Sequence, residues 1–239
     1  MALSPMELMD LQARTLFVQD EDGRLAGVNE RSGGPAPLVF IGKTAEGTLV
    51  RVSAGAAPGT GEAVAALVAA AAPWRLGVPD EGLARALVEL AGGESGGASL
   101  FAGPAFAFPP ALFPPMGVVQ LYPGHAHLLH PALATLGPEL RYRRPAFAVM
   151  RDGCAVSVCY SARISAGGAE AGVETAPEFR GKGCAALAVD AWASEVREKG
   201  RTPLYSTAWT NTASLAVVRK LDLVCFGEDL HVTLAPGHS

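Results

Sequence analysis

The stretch that most constrains this chain runs from Ala171 to Lys199, AGVETAPEFRGKGCAALAVDAWASEVREK. A strand predicted over Glu170 to Thr175 passes through Ala176-Pro177-Glu178-Phe179 into Arg180-Gly181-Lys182-Gly183, where a helix begins. The helix is expected to bury Ala185, Val189, Trp192 and Val196, to stack Glu195 over Lys199, and to stop at Gly200. A strand that empties through glycines onto a helix N-terminus is an anion-binding geometry. The helix start offers unpaired N–H groups and about half a positive charge, and Gly181 and Gly183 let an oxygen approach the main chain with no Cβ in the way.

Three phosphate readings compete for this loop. A Walker loop requires Gly at 176 and Ser or Thr at 183, where the chain has Ala176 and Gly183, so that reading fails. Gly181-Lys-Gly183-Cys-Ala-Ala186 satisfies the loose dinucleotide pattern G-x-G-x-x-A, but Pro-Glu-Phe-Arg separates the strand from the glycines. The next strand, PLYST, also ends without a ribose-binding acid.

The third reading rests on a resemblance. Arg180-x-x-Gly183-x-Ala185 resembles the Q/R-x-x-G-x-G/A loop of the GNAT superfamily of acyl-CoA-dependent N-acetyltransferases. The preceding GVETAPEFRGKG is similar to that family's fourth strand. Asn211-Thr-Ala-Ser214 with Val218-Arg-Lys-Leu-Asp-Leu223 stands where the family has N-x-x-S/A and K-L-G-F, and the likeness covers roughly residues 118–239. It implies acetyl-CoA as co-substrate, with the pyrophosphate on Arg180, Gly181, Lys182, Gly183, Cys184 and Ala185. The pantetheine arm would lie along Val173 and Thr175, flanked by Asn211 and Ser214.

The chain departs from the family at Val218, where a Tyr often protonates the leaving thiolate, and at Asp222, often Gly. Tyr160 and Tyr205 are the nearby phenols that remain as candidates. Glu174, on the strand that the amine must approach, is the candidate general base, its alternative being an inert strand carboxylate. Cys184 is either a small residue packed in the first helical turn or a nucleophile favoured by the helix dipole. His125, His127 and His130 lack the carboxylate or Cys companions of a metal site, and are expected to line the acceptor pocket or lie on the surface. Trp209, two residues before Asn211, is expected in the pocket wall.

The rest of the 239 residues is punctuated by 28 Gly and 18 Pro, so elements should be short. Two hairpins, Thr15 to Asn29 and Pro37 to Val52, precede helices over Gly61 to Ala72 and Pro79 to Leu90. The proline-rich stretch from Gly103 to Gly117 is the expected boundary, which gives a smaller α/β N-terminal domain, 1–117, of unknown role and a GNAT-like domain, 118–239. The second is expected to hold strands at Val118 to Leu121, Phe147 to Met150 and Cys154 to Ile164, a helical region at Ala126 to Leu136, and a strand from Pro203 to Thr207. A helix capped by Asn211 and a closing hairpin, Leu223 to Phe226 with Leu230 to Leu234, complete it. The fold class is α+β: a mixed, mainly antiparallel sheet flanked by helices.

A net charge of −4 leaves no basic footprint for nucleic acid. The longest apolar run, Ala63 to Trp74, is too short to span a bilayer, and no export signal is read at Met1 to Asp10. Four cysteines without paired spacing suit a reducing compartment, so a cytoplasmic protein is expected. The expected activity is transfer of an acetyl group from acetyl-CoA to a primary amine of a small molecule or peptide, without metal, nucleic acid or membrane partner, in a monomer or homodimer. A non-catalytic acyl-CoA-binding or sensing module is the alternative.

Overall fold

A computed structural model describes residues 3–73, 75, 77–92, 97–110 and 117–234. The chain forms two compact units: residues 1–106, 206–210 and 225–239 make the first, residues 107–205 and 211–224 the second. They differ from a linear division at residue 117 in that the last strand belongs with the first unit. Residues 111–116 of the expected boundary and the loop residues 93–96 lie outside the described residues.

The first unit opens with α1 (Pro5–Leu16), started by a capping box between Ser4 and Glu7, and a hairpin of β1 (Phe17–Gln19) and β2 (Leu25–Val28). The antiparallel pair β3 (Val39–Thr44) and β4 (Gly47–Val52) follows, then α2 (Thr60–Ala70) and α3 (Glu81–Leu90). Every residue of β3 is buried, because α1 packs against it and Val64, Leu83 and Leu87 of the two later helices close over Val39 and Ile41.

Two strands of this unit differ from the sequence expectation. β5 (Ser99–Ala107) runs into the stretch expected as a boundary loop. Its Gly103 lies against the backbone of Thr207, so closely that a Cβ would come within 2.7 Å of the Thr207 carbonyl carbon, and Thr207 N–H donates to Pro104 O at 3.3 Å. The expected closing hairpin is a single strand, β11 (Val224–Thr233), antiparallel to β3. Gly227-Glu228-Asp229 had the composition of a turn but sits inside the ladder. Gly227 gives room to the Lys43 carbonyl, 2.5 Å from where a Cβ would stand, while buried Glu228 accepts a hydrogen bond from Trp209 Nε1 at 2.8 Å. The order in this unit is β4-β3-β11-β5.

The second unit contains β6 (Val118–Gln120), β7 (Ala146–Arg151), β8 (Cys154–Ile164), β9 (Gly168–Thr175), α4 (Cys184–Glu198), β10 (Thr202–Ser206) and α5 (Thr212–Lys220). The order is β10-β9-β8-β7-β6, antiparallel except for the parallel β9–β10 pair. The fold is thus the expected α+β class. The helical region expected at Ala126 to Leu136 is two 3-10 helices, Pro123–Leu128 and Pro131–Leu136, the second starting at Pro131.

β8 is buried on both faces, as its nearly unbroken apolar run requires. On one side Leu129, Leu133 and Leu136 pack on Val158 and Tyr160. On the other lies α4, whose fully buried Trp192 donates its indole N–H to Ser161 Oγ at 3.0 Å. Lys199 pairs with Glu195 at 2.7 Å, as the spacing predicted. Ala185, expected in the core, is only half-buried.

Candidate active site

The ladder between β9 and β10 covers only Gly168 to Glu170 on β9. From Ala171 to Thr175 that strand keeps its pairing with β8 but has no β10 partner on its other edge. The parallel ladder ends here, and a cavity of about 720 Å³ lies against the following stretch of β9. Val173, Glu174 and Thr175 line it from the strand; Arg180, Gly181, Gly183, Cys184 and Ala185 from the loop and first helical turn; Asn211, Ser214, Val217 and Lys220 from α5 and its cap. Ala132, Leu133, Pro177 and Phe179 complete the wall.

Local sequence explains the loop. Gly181 and Gly183 take φ values of 74° and 79°, a left-handed conformation that a side chain would resist. Gly183 is the N-cap of α4 and brings no side-chain oxygen, so the amides of the first turn receive no side-chain cap. α5 is built differently: Asn211 Oδ1 accepts from Ser214 N–H at 3.0 Å, which satisfies that helix start internally. The uncapped amides of α4 therefore open beside Cys184, Ala185 and Ala186, which line the cavity.

The structure gathers all but one of the sequence-nominated cofactor residues around this cavity. Lys182 stands off from it, its ammonium 5.2 Å above the Phe179 ring. Arg180 lines the cavity but turns its Nε back to the Thr175 carbonyl at 3.3 Å, thereby tying the loop to the end of β9. Cys184 is a buried first-turn residue.

Glu174 Oε1 accepts the Tyr160 phenol at 2.9 Å. Burial and the neighbouring Glu174 charge push Tyr160 well above the usual phenol range, although the Arg143 guanidinium, 4.7 Å from its ring centroid, acts in the opposite sense. Tyr205 is also made a weaker acid, pushed up to about 12 chiefly by burial, with its Oη 2.6 Å from Ser214 Oγ. Neither phenol is poised to release a proton. Val218 is buried in α5, and Ser214, one turn earlier on the same helix, lines the cavity.

Two nominations find other surroundings. Trp209 is bonded to Glu228 in the first unit and does not line the cavity. The three histidines diverge: His125 Nδ1 accepts from Tyr122 N–H at 3.4 Å, His127 Nδ1 lies 2.9 Å from Gly124 O, and His130 Nε2 is 3.0 Å from Glu178 Oε1. Among the described residues no group of three or more His, Cys, Asp or Glu is arranged to hold a metal. No described helix is long and apolar enough to cross a membrane.

Sequence reasoning met Lys220 only as part of the K-L-G-F match and gave it no role. It is the last residue of α5, and its ammonium comes to rest against Gly183, where the glycine's missing Cβ would be. The available signal was that motif position: Lys220 ends the helix that Asn211 caps, and it reaches Gly183 only once α5 is packed beside α4.

Comparison with curated proteins finds no match. Among solved structures, a GCN5-related N-acetyltransferase from Kribbella flavida is 24% identical over 67% of this chain and 67% of its own, with a TM-score of 0.45. A GCN5-related N-acetyltransferase-like protein from Streptococcus suis is 18% identical over 62% of this chain and 66% of its own, with a TM-score of 0.45. An aminoglycoside N-acetyltransferase in complex with CoA is 24% identical over 44% of this chain and 88% of its own, with a TM-score of 0.36. Residues 145–226 match the model of the GNAT acetyltransferase family. That segment, about a third of the chain, holds β9, the glycine loop, α4 and α5, and it is similar to the GNAT acetyltransferase family.

Proposed function

We propose that this protein moves an acetyl group from acetyl-CoA to a primary amine of a small molecule or peptide, by direct attack while both substrates are bound. One observation carries the reading: β9 loses its β10 partner at the point where an uncapped 15-residue helix begins, and the cavity between them joins an open strand edge to open helix amides. Such a cleft suits a ligand with an amide-bearing arm at one end and a diphosphate at the other.

In this reading the amides of Cys184 to Ala186 take the diphosphate, and the free edge of Val173 to Thr175 pairs with the pantetheine amides. A free N–H on the same edge polarises the thioester carbonyl, a contribution of about 3 kcal/mol per donor in comparable sites. Glu174, with Oε1 held by Tyr160, has Oε2 left to accept the amine proton. The amine nitrogen bonds to the carbonyl carbon, the carbon–sulfur bond breaks, and the sulfur leaves with the electron pair. Ser214 then offers a hydrogen bond to the thiolate, whose proton comes from solvent.

The test is thiol release from acetyl-CoA with a panel of primary amines, preceded by calorimetric titration with acetyl-CoA. Binding with sustained turnover supports the enzyme. The absence of the family's Tyr at Val218, together with two phenols weakened as acids, favours the second reading, a non-catalytic acyl-CoA-binding module. Binding without turnover on any amine would select it, and no binding would remove both.

A further inference from the structure

The cavity wall changes character around Glu174. Ala132 and Leu133 of the second 3-10 helix face it there, with Pro177 and Phe179 just beyond β9. Leu133 packs in the buried cluster of Val158 and Tyr160, and Val158 is the cross-strand partner of Glu174, so Leu133 lies on the Glu174 face of the sheet. His130 ties the rest of this wall together: its Nδ1 accepts from Ala132 N–H at 3.2 Å, and its ring meets that of Phe179 edge-on at 6.0 Å. The charges are unequal. Among the described residues that line the cavity, Glu174 is the one carboxylate, against the cations Arg180 and Lys220. Glu178 does not line it, being turned to His130 Nε2 at 3.0 Å, and the Phe179 ring already faces the Lys182 ammonium at 5.2 Å.

One carboxylate serves one amine. A second ammonium on the same acceptor would leave water for an apolar wall, with no carboxylate to pair with it and cations nearby. An apolar body gains from leaving water at the same place. We propose that the acceptor is a monoamine on an aromatic or aliphatic body rather than a polyamine or an aminoglycoside, its nitrogen at Glu174 and its body against Ala132, Leu133, Pro177 and Phe179. This rests on the acetyl-transfer reading and names its acceptor class. The amine gives one proton to Glu174 and becomes an N-substituted acetamide, while CoA leaves with the carbon–sulfur electron pair and is protonated from solvent.

The test is thiol release at saturating acetyl-CoA with 2-phenylethylamine and hexylamine against ethanolamine and spermidine, each compared as the free base. In wild type, kcat/KM for the two apolar monoamines is expected to exceed that for either of the others by about tenfold or more, as for burial of a few methylenes. Phe179→Ala should reduce this preference about tenfold, and Phe179→Leu should restore most of it. Ala132→Glu, at an exposed position of the wall, supplies a second carboxylate and should raise kcat/KM for spermidine while lowering it for 2-phenylethylamine. A tripeptide beginning with Phe, run beside the free amines, tells which source supplies the apolar amine, and transfer to either upholds the class. Turnover in which spermidine or ethanolamine matches the apolar monoamines overturns the acceptor class and leaves the acetyltransferase reading intact. A preference unchanged in both Phe179→Ala and Ala132→Glu puts the apolar body elsewhere and overturns the proposal as well. Acetyl-CoA binding without thiol release on any amine selects the non-catalytic module and removes the acceptor with it, and no binding removes both readings of the cavity.

Discussion

The phenol of Tyr160 donates to Glu174 Oε1 at 2.9 Å across the β8–β9 ladder, from Tyr160 opposite Gly172 to a carboxylate two residues further along β9. The bond crosses the ladder diagonally, and it holds the candidate base at the cavity edge.

Removing the base and removing its holder should have different consequences. Glu174→Gln is expected to lower kcat by about a hundredfold or more while leaving acetyl-CoA affinity unchanged, as for loss of general base catalysis. Tyr160→Phe keeps the carboxylate and frees it, so a smaller loss of kcat, about tenfold, is expected. Steady-state kinetics with isothermal titration separates them. Equal activity in Glu174→Gln and wild type would return Glu174 to the status of an inert strand residue.

Gly172 makes the Tyr160 pose possible. A Cβ there would lie 2.8 Å from Tyr160 Cζ, so Gly172→Ala must displace the ring. The expected result is destabilisation of about 1–3 kcal/mol in urea unfolding, the usual range for overpacking, together with the kinetic loss of Tyr160→Phe. A variant that melts like wild type and retains full activity would show that the ring tolerates displacement.

Stability should fall in alkali. Tyr160 and Tyr205 both have folded-state pKa values raised above the ordinary 10.0, Tyr205 to about 12, so the native state binds their protons more tightly than the unfolded chain. Their contribution is whole below pH 10 and is lost as pH rises from there through the folded values, at about 1.4 kcal/mol per pH unit for each phenol. Urea midpoints measured between pH 9 and pH 12 should therefore decline, and Tyr205→Phe should decline less steeply. Parallel slopes would assign the alkaline loss to other groups.

Substitution at Gly183 should affect both folding and binding. Its φ of 79° makes any side chain strained, at about 1–2 kcal/mol, and Lys220 Nζ occupies the space a Cβ needs. In Gly183→Asp the new carboxylate meets Lys220 and stands where the diphosphate is proposed to bind, so acetyl-CoA affinity should fall by more than tenfold. Gly183→Ala, lacking the charge, should lose less. Calorimetric titration of the two variants decides the order.

The sequence by itself determined the local grammar of the site. The strand over Glu170 to Thr175, the two glycines, the Ala-rich helix that follows and the Asn211 cap all follow from short-range rules: periodicity, left-handed glycine geometry and capping chemistry. The tertiary structure decided whatever depended on residues far apart in the chain. Glu228 and Asp229 looked like a turn because their partners, Trp209 and the strand carrying Lys43, are distant in sequence; the ladder buries them instead. Gly103 looked like a loop glycine, although it marks close approach to Thr207. Ala185 looked like core and faces the cavity, while Lys220, met in the sequence only as part of the K-L-G-F match, comes against Gly183 through the packing of α5 beside α4. Local rules specify which backbone a segment prefers, but which side chains share a cavity depends on how helices and strands pack, and no short window of sequence contains that information.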